Sequence, residues 1–495
     1  MKNYQKILNN EQSLDSKDWQ QMRQLGKQMI DDMVDYLETI SKKPVWQPIP
    51  EEVKKTFKTD LPKEGQPLNE IYQEFCQNIL PYNCGNIHPR FWGWAQGNGT
   101  LTGAFADFLA STMNPNNNKG EVAPMYVDAQ VINWSKEMLG FPKTASGILL
   151  SGCSMANITG LLVARNSYED LNARKIGLKN ISKQMIIYCS TETHNSTEKA
   201  AEAIGIGSDN IRKIAVNDDY QIRTDLLEDA IIKDKNAGLI PLCVVGNCGT
   251  VNTGAIDDLK TIAAICKKEK VWFHIDGAFG AIAKLTDEFK DQLKPLEEAD
   301  SIAFDFHKWM QVNYEVGCLL VRDSKKHRDA FTVPASYLLT HERGLSAGPE
   351  PINHFGMELS RNFKALKIWM TLKENGINKF KKLVRQNIAQ AYYLADLIRQ
   401  EDDLELMNIP VLNITCYRYN PKNRKLDIAE LNQLNRELLM RLHEQGVVAP
   451  SYTILKGNYT IRACITNHRS TKNDFKLLVQ ESLKIGKEIS SDLLV

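Results

Sequence analysis

The chain has 495 residues, with 61 Lys+Arg against 60 Asp+Glu and a formal net charge of +1 at pH 7. That length allows one large domain plus smaller ones around a substantial core, and the balanced charge offers neither a nucleic-acid face nor an acidic tail. The polar opening MKNYQK lacks the apolar stretch of a signal peptide and no run approaches a membrane span, so a cytoplasmic protein with no nucleic-acid or membrane partner is expected.

The 10 cysteines form no C-x-x-C pair and the 9 histidines no H-E-x-x-H spacing, so reduced thiols and no metal site are expected. In chain order, Met22, Leu25, Met29, Met33 and Leu37 recur at helical spacing and predict an amphipathic helix over residues 18–40. The proline-broken PVWQPIP follows in extended form. This opening block, residues 1–84, is too thin to cover its own apolar stripe. It must pack on the rest of the chain or on a partner subunit.

From 85 to 380, apolar runs at 147–150, 185–188, 242–245, 271–275, 302–306 and 317–321 alternate with helical patterns. That alternation predicts an α/β domain with a mainly parallel sheet and helices on both faces. Residues 381–495 read as a small α+β domain, with strands at 411–417 and 459–465 and a helix at 428–445 between them.

Chemistry collects where predicted strands end, the edge at which open α/β sheets bind ligands. GCSMAN follows the run at 147–150 and opens a helix, so free backbone N–H groups around Ser154 and Met155 would hold an anion such as a phosphate. A helix N-cap explains Ser154 equally well. His194 follows the run at 185–188 and Thr250 the run at 242–245, Asp276 closes FHID, and Lys308 lies just past 302–306 in DFHKW. A lysine there has a chemical use if burial lowers its pKa, because only the neutral amine forms a Schiff base with a carbonyl. Pyridoxal 5'-phosphate is the commonest cofactor held that way and needs an acid opposite its ring nitrogen, here Asp276. Plain structural readings stand beside these: a solvated lysine, a turn-forming aspartate, a packed His307.

Read in order, GCSMAN, TETHNSTEKAA, GTVNTGAIDDL, HIDGAFG and DFHKW resemble the pyridoxal-phosphate-dependent group II amino-acid decarboxylases, which act on aromatic amino acids, histidine and glutamate. The resemblance covers nearly the whole chain, including HPRFWG at 88–93 and IRACITNHR at 461–469. It implies a fold-type I large domain, a homodimer crossed by the N-terminal block, and removal of the α-carboxylate of an L-amino acid to give an amine and carbon dioxide. It makes Lys308 the cofactor lysine, Asp276 the ring-nitrogen acid, and His194 a group that stacks on the ring and serves proton transfer. Ser154 and Met155 would hold the phosphate, Thr250 and His307 would contact the cofactor or the substrate carboxylate, and Ala278 would leave room for the ring. Trp92, in an aromatic cluster with Phe91 and Trp94, is a substrate-side candidate that favours an aromatic or large apolar side chain, with a core position as the equal alternative; Arg462 would meet a carboxylate or form an interdomain salt bridge.

Three departures qualify the resemblance. The family's mobile loop carries a tyrosine that protonates the substrate carbon, whereas the loop at 338–355 has none and places Ile352 near that position. His354, His341 or a partner-subunit residue would then be the donor; without one, oxygen would intercept the carbanion and give an aldehyde. A cofactor-binding protein without turnover is the third reading. HIDGAFG has Gly277 and Phe279 where better-known members have alanine and tyrosine. Asp305 stands where some relatives have an asparagine that donates to the phosphate; a carboxylate cannot donate, so Asp305 is expected to face away or to contribute only through its backbone.

Overall fold

The computed structural model describes residue 8 and residues 12–168, 171–333 and 341–492. Apolar runs too short for helices become strands: β1 (Phe91–Trp92), β2 (Ser146–Leu150), β3 (Met185–Ser190), β4 (Ile211–Ile214), β5 (Ile240–Asn247), β6 (Trp272–Asp276), β7 (Ser301–Asp305), β8 (Gly317–Val321), β9 (Leu404–Leu406), β10 (Ile414–Tyr419), β11 (Ala449–Leu455) and β12 (Asn458–Cys464). The helices that matter below are α1 (Trp19–Glu38), α2 (Leu101–Met113), α3 (Cys153–Asn166), α4 (Ala365–Arg399), α5 (Ile428–Glu444) and α6 (Lys472–Asp492).

The large sheet has the order β2-β8-β7-β6-β5-β3-β4. Its centre, from β7 through β6, β5 and β3 to β4, is parallel, and β8 runs antiparallel between β2 and β7. Strands β5, β7 and β8 are buried at every position, as expected of a sheet with helices on both faces. This is the expected α/β, fold-type I arrangement. The connection between β7 and β8 carries Lys308, so antiparallel pairing closes a tight structure around that residue.

The second sheet, β1-β11-β12-β10-β9, packs with α5 and α6 around a separate core of Leu438, Leu442, Tyr417 and Phe475. The sequence division at 380/381 falls inside α4, which bends at Gly376 (φ 66), and β1 pairs with β11 although it lies far upstream. Trp92 is therefore part of this core. It is 1% exposed, donates from Nε1 to Ser470 Oγ at 3.0 Å, and packs its ring 5.1 Å from Phe475.

No helix among the described residues is long and apolar enough to cross a membrane. Truncating Trp92 to alanine opens a cavity in the second core, and such losses cost about 3–5 kcal/mol. Denaturant unfolding of Trp92→Ala should show a destabilisation of that size, with Trp92→Phe much milder.

Candidate active site

Parallel strands end together, and here their carboxyl ends bring β3, β5, β6 and β7 to one cavity of ≈ 470 Å³. Asn247, Asp276 and Asp305 are the last residues of β5, β6 and β7. His194, Asp276, Ala278, His307 and Lys308 line the cavity together with Cys153, Ser154 and Trp94. Thr250, Met155, Trp92 and Arg462 do not line it.

α3 begins at the cavity with Gly152 as its N-cap, and no side chain caps it. Ser154 is the second helical residue and not the N-cap, which removes the capping explanation for it. The first-turn N–H groups thus present partial positive charge to the cavity. The segment after β1 is pressed against the lysine turn: Gly97 N donates to His307 O at 3.1 Å, and any Cβ at Gly97 would collide with the carbonyls of His307 and Lys308.

Asp276 is buried and meets three donors: Asn157 Nδ2 at 2.9 Å, Ala278 N at 3.1 Å and Cys153 Sγ at 3.5 Å. Because a carboxylate only accepts, the Asn157 amide must turn its NH₂ toward Asp276 and its oxygen toward His274 Nε2, 2.9 Å away. His274 therefore carries its proton on Nε2 and accepts at Nδ1 from Ser301 Oγ at 2.7 Å. Burial pushes His274 down to about 4, so it stays neutral.

Asn157 also donates to Ser196 Oγ at 3.0 Å, and the Ser196 hydroxyl in turn faces His194 Nδ1 at 2.9 Å. The same nitrogen accepts from Ser196 N at 3.1 Å. His194 is thereby fixed with its proton on Nε2, and burial lowers its pKa. His307 likewise accepts at Nδ1 from Val316 N at 3.0 Å and is lowered by burial.

Two expectations need correction. Asp305 does not face away: its Oδ2 lies 3.0 Å from Lys308 Nζ and 3.5 Å from His307 Nε2, while its buried Oδ1 has no partner. Lys308 also does not have a lowered pKa. Burial is the largest single influence and pulls it down, but Asp305, by charge and hydrogen bond, together with Cys153 and Asp276 outweighs it and the net shift is upward. Several nearby negative groups together stabilise the ammonium more than desolvation penalises it.

Outside the cavity, Thr250 Oγ1 lies 3.1 Å from Thr253 Oγ1 and accepts from Ala255 N at 3.1 Å, which shapes the turn bearing Gly249 and Val251. Arg462 donates to the carbonyls of Val251 at 2.6 Å, Trp94 at 2.8 Å and Asn252 at 3.1 Å. Its guanidinium braces the cavity wall from behind and forms no salt bridge among the described residues. Trp94, 60% exposed with φ 51, reaches the cavity where Trp92 does not.

In the loop at 338–355, the first three residues lie outside the described ones. Ile352 is buried with Met125, Ile148 and Leu150, and His354 Nδ1 sits 3.1 Å from Glu350. Neither His341 nor His354 lines the cavity. Sequence reasoning missed Cys153, Asn157 and Tyr314; Cys153 and Asn157 are one helical turn apart and so share a face, a spacing readable in GCSMAN.

The arrangement fits pyridoxal phosphate. An uncapped helix start and Ser154 suit the phosphate, the triply bonded Asp276 suits the ring nitrogen, and Lys308 stands in the same cavity.

Known proteins share this chain's sequence pattern and fold. Residues 50–420 match the model of the pyridoxal-dependent decarboxylase conserved domain. An aromatic-L-amino-acid decarboxylase of Bacillus atrophaeus is 31% identical over 95% of this chain and 96% of its own length. A phenylacetaldehyde synthase of Arabidopsis thaliana is 26% identical over 94% and 96%. The crystal structure of Oryza sativa TDC with PLP and tryptamine superposes with a TM-score of 0.87 at 23% identity, covering 96% of this chain and 100% of that one. The family match spans β6 with Asp276, the β7–β8 connection with Lys308 and the cavity they line, so the chain belongs to the pyridoxal-dependent decarboxylases and is an enzyme that uses pyridoxal phosphate.

Proposed function

We propose that the enzyme removes the α-carboxylate of an aromatic L-amino acid and releases the amine. The observation that carries this reading is that Lys308, Asp276 and the start of α3 open onto one cavity whose wall includes Trp94 and Tyr314. The decarboxylase of Bacillus atrophaeus supports the aromatic class.

Pyridoxal phosphate, when bound, supplies a sink for the electron pair left at Cα as carbon dioxide departs. Ser154, the first-turn N–H groups that include Met155, and His307 would hold the phosphate. Asp276 would keep a proton on the ring nitrogen, with Asn157 orienting the carboxylate. Ala278 would leave room for the ring, and His194, with its proton on Nε2, would stack on it. Lys308 would be the amine that holds the cofactor, kept in place by Asp305. Trp94 contacts the substrate ring, while Arg462 and Thr250 act by positioning the Trp94 and Val251 backbone.

Release of an aldehyde is a second reading. It is favoured by the burial of Ile352 away from the cavity, which leaves the described loop without an acid at the site, and by the relative named phenylacetaldehyde synthase.

The enzyme works as a homodimer in the cytoplasm. Trp19, Met22 and Ile30 on α1 and Phe105, Phe108 and Met113 on α2 are exposed, an apolar surface that suits a second copy. Ten free thiols suit a reducing compartment.

Sedimentation at micromolar concentration should give a dimer, and deleting residues 1–84 should abolish it; a monomeric full-length chain contradicts the assembly. Lys308→Ala should fold normally yet show no covalent cofactor by mass spectrometry after borohydride reduction. Asp276→Asn should keep bound cofactor but lose turnover. A charge-assisted hydrogen bond is worth about 1.5–3 kcal/mol, and about 1.36 kcal/mol in the barrier is tenfold in rate. The expected fall is roughly tenfold to a few hundredfold in carbon dioxide release from L-phenylalanine, L-tyrosine or L-tryptophan, and near-normal release removes Asp276 from the role.

A further inference from the structure

Forming the amine requires a proton at Cα once carbon dioxide has left, and that proton must come from a group reaching the cavity. Among the described residues lining it, few can supply one. Neutral His194 and His307 offer only an Nε2 N–H, a far weaker acid than a phenol, and that of His307 faces Asp305 at 3.5 Å. Cys153 is buried with its S–H already directed at Asp276. Glu315 is a carboxylate paired with Lys364 at 3.3 Å. The Lys308 ammonium is held by Asp305 at 3.0 Å, which makes it reluctant to give up its proton.

Tyr314 remains. It lines the cavity, is 46% exposed, and packs its ring in a tilted contact with His307, the neighbour of Lys308, ring centres 4.4 Å apart. Its backbone is pinned: Lys367 Nζ donates to Tyr314 O at 3.0 Å, and Lys364 holds the adjacent Glu315. The carbonyl is turned to Lys367 while the ring is packed on the His307 side. Burial pushes the phenol up to about 12, so the proton is present at neutral pH.

Resting on the decarboxylase reading above, we propose that Tyr314 is the acid that protonates Cα and directs the reaction to the amine. Carbon dioxide leaves without the electrons of the broken C–C bond, a C–H bond forms at Cα, and the Tyr314 O–H breaks. The phenolate regains a proton from water at the open mouth of the cavity. Without that acid, dioxygen takes the electron pair instead. The substrate carbon is oxidised to an aldehyde, dioxygen is reduced to hydrogen peroxide, water supplies the carbonyl oxygen, and ammonia leaves.

The test compares cofactor-loaded full-length protein with Tyr314→Phe on L-phenylalanine, L-tyrosine and L-tryptophan, measuring carbon dioxide, amine, aldehyde and peroxide. Cofactor content is checked by absorbance. A positioned general acid is worth about 10²-fold or more, so amine formation should fall by roughly that factor while aldehyde and peroxide appear in equal amounts. Amine formation within about twofold of the parent overturns the proposal and returns the role to Lys308 or to a partner-subunit residue. Loss of carbon dioxide release with cofactor still bound also overturns it, because Tyr314 would then act before protonation. If the parent itself releases no carbon dioxide, the decarboxylase reading fails as well, which separates the two failures.

A second readout needs no turnover. In cofactor-free protein with ring-¹³C tyrosine, the resonance missing from Tyr314→Phe should have the phenol shift at neutral pH and on into mildly alkaline solution. A phenolate shift at neutral pH overturns the assignment.

Discussion

A carboxylate buried at the end of a central strand must be surrounded by donors, and Asp276 organises its surroundings accordingly. It takes N–H groups from Asn157 and Ala278 and the thiol of Cys153. Because it can only accept, it fixes the orientation of Asn157, and Asn157 then fixes His274 on one side and Ser196 with His194 on the other. Two histidines, His274 within β6 and His194 past the end of β3, acquire defined tautomers from one acid. The network also ties α3 to β6, so the uncapped helix start and the Asp276 carboxylate are set relative to each other before any ligand arrives.

Lys308 follows a different logic. Its ion pair with Asp305 raises its pKa although burial alone would lower it. An amine must lose a proton before it can form a covalent link to a carbonyl, so the Asp305 contact opposes such a step while aiming the side chain into the cavity. Rigid aim comes with a more basic, less nucleophilic amine. A preorganised side chain loses less entropy when it reacts, the usual benefit of holding groups close.

The large sheet was legible because strands covered on both faces read as continuous apolar runs, and six of them place Asp276 and Lys308 at its carboxyl edge. β4 was not legible: IRKI carries two cations and reads as a charged loop until β3 supplies its pairing. Likewise β11 alternates buried and exposed positions and contains Pro450. Alternation also failed at FWGW, where both tryptophans fall on one side of an ideal strand. The strand ends at Trp92, and the left-handed backbone of Trp94 swings that ring to the cavity instead. For Asp305 the hydrogen-bonding rule was sound but incomplete. It considered a phosphate as the partner and overlooked a lysine three residues on, which the tight turn into the β7–β8 connection brings into contact.

Tyr314 lay beyond sequence reasoning for a physical reason. It sits in an irregular connection with no periodicity, and its placement depends on Lys364 and Lys367 on or beside α4, far along the chain. Those two cations act as clamps from the helix that crosses between the two sheets, with Lys367 also paired to Asp107 on α2 at 3.2 Å. Residues on α2 that are exposed, Phe105 and Phe108 among them, lie on the same helix as that anchor. The position of a cavity-lining phenol is thus coupled to the surface best suited to a second copy. Covering that surface would stiffen α2, and through Asp107 and Lys367 it would stiffen the backbone that holds Tyr314 at the cavity.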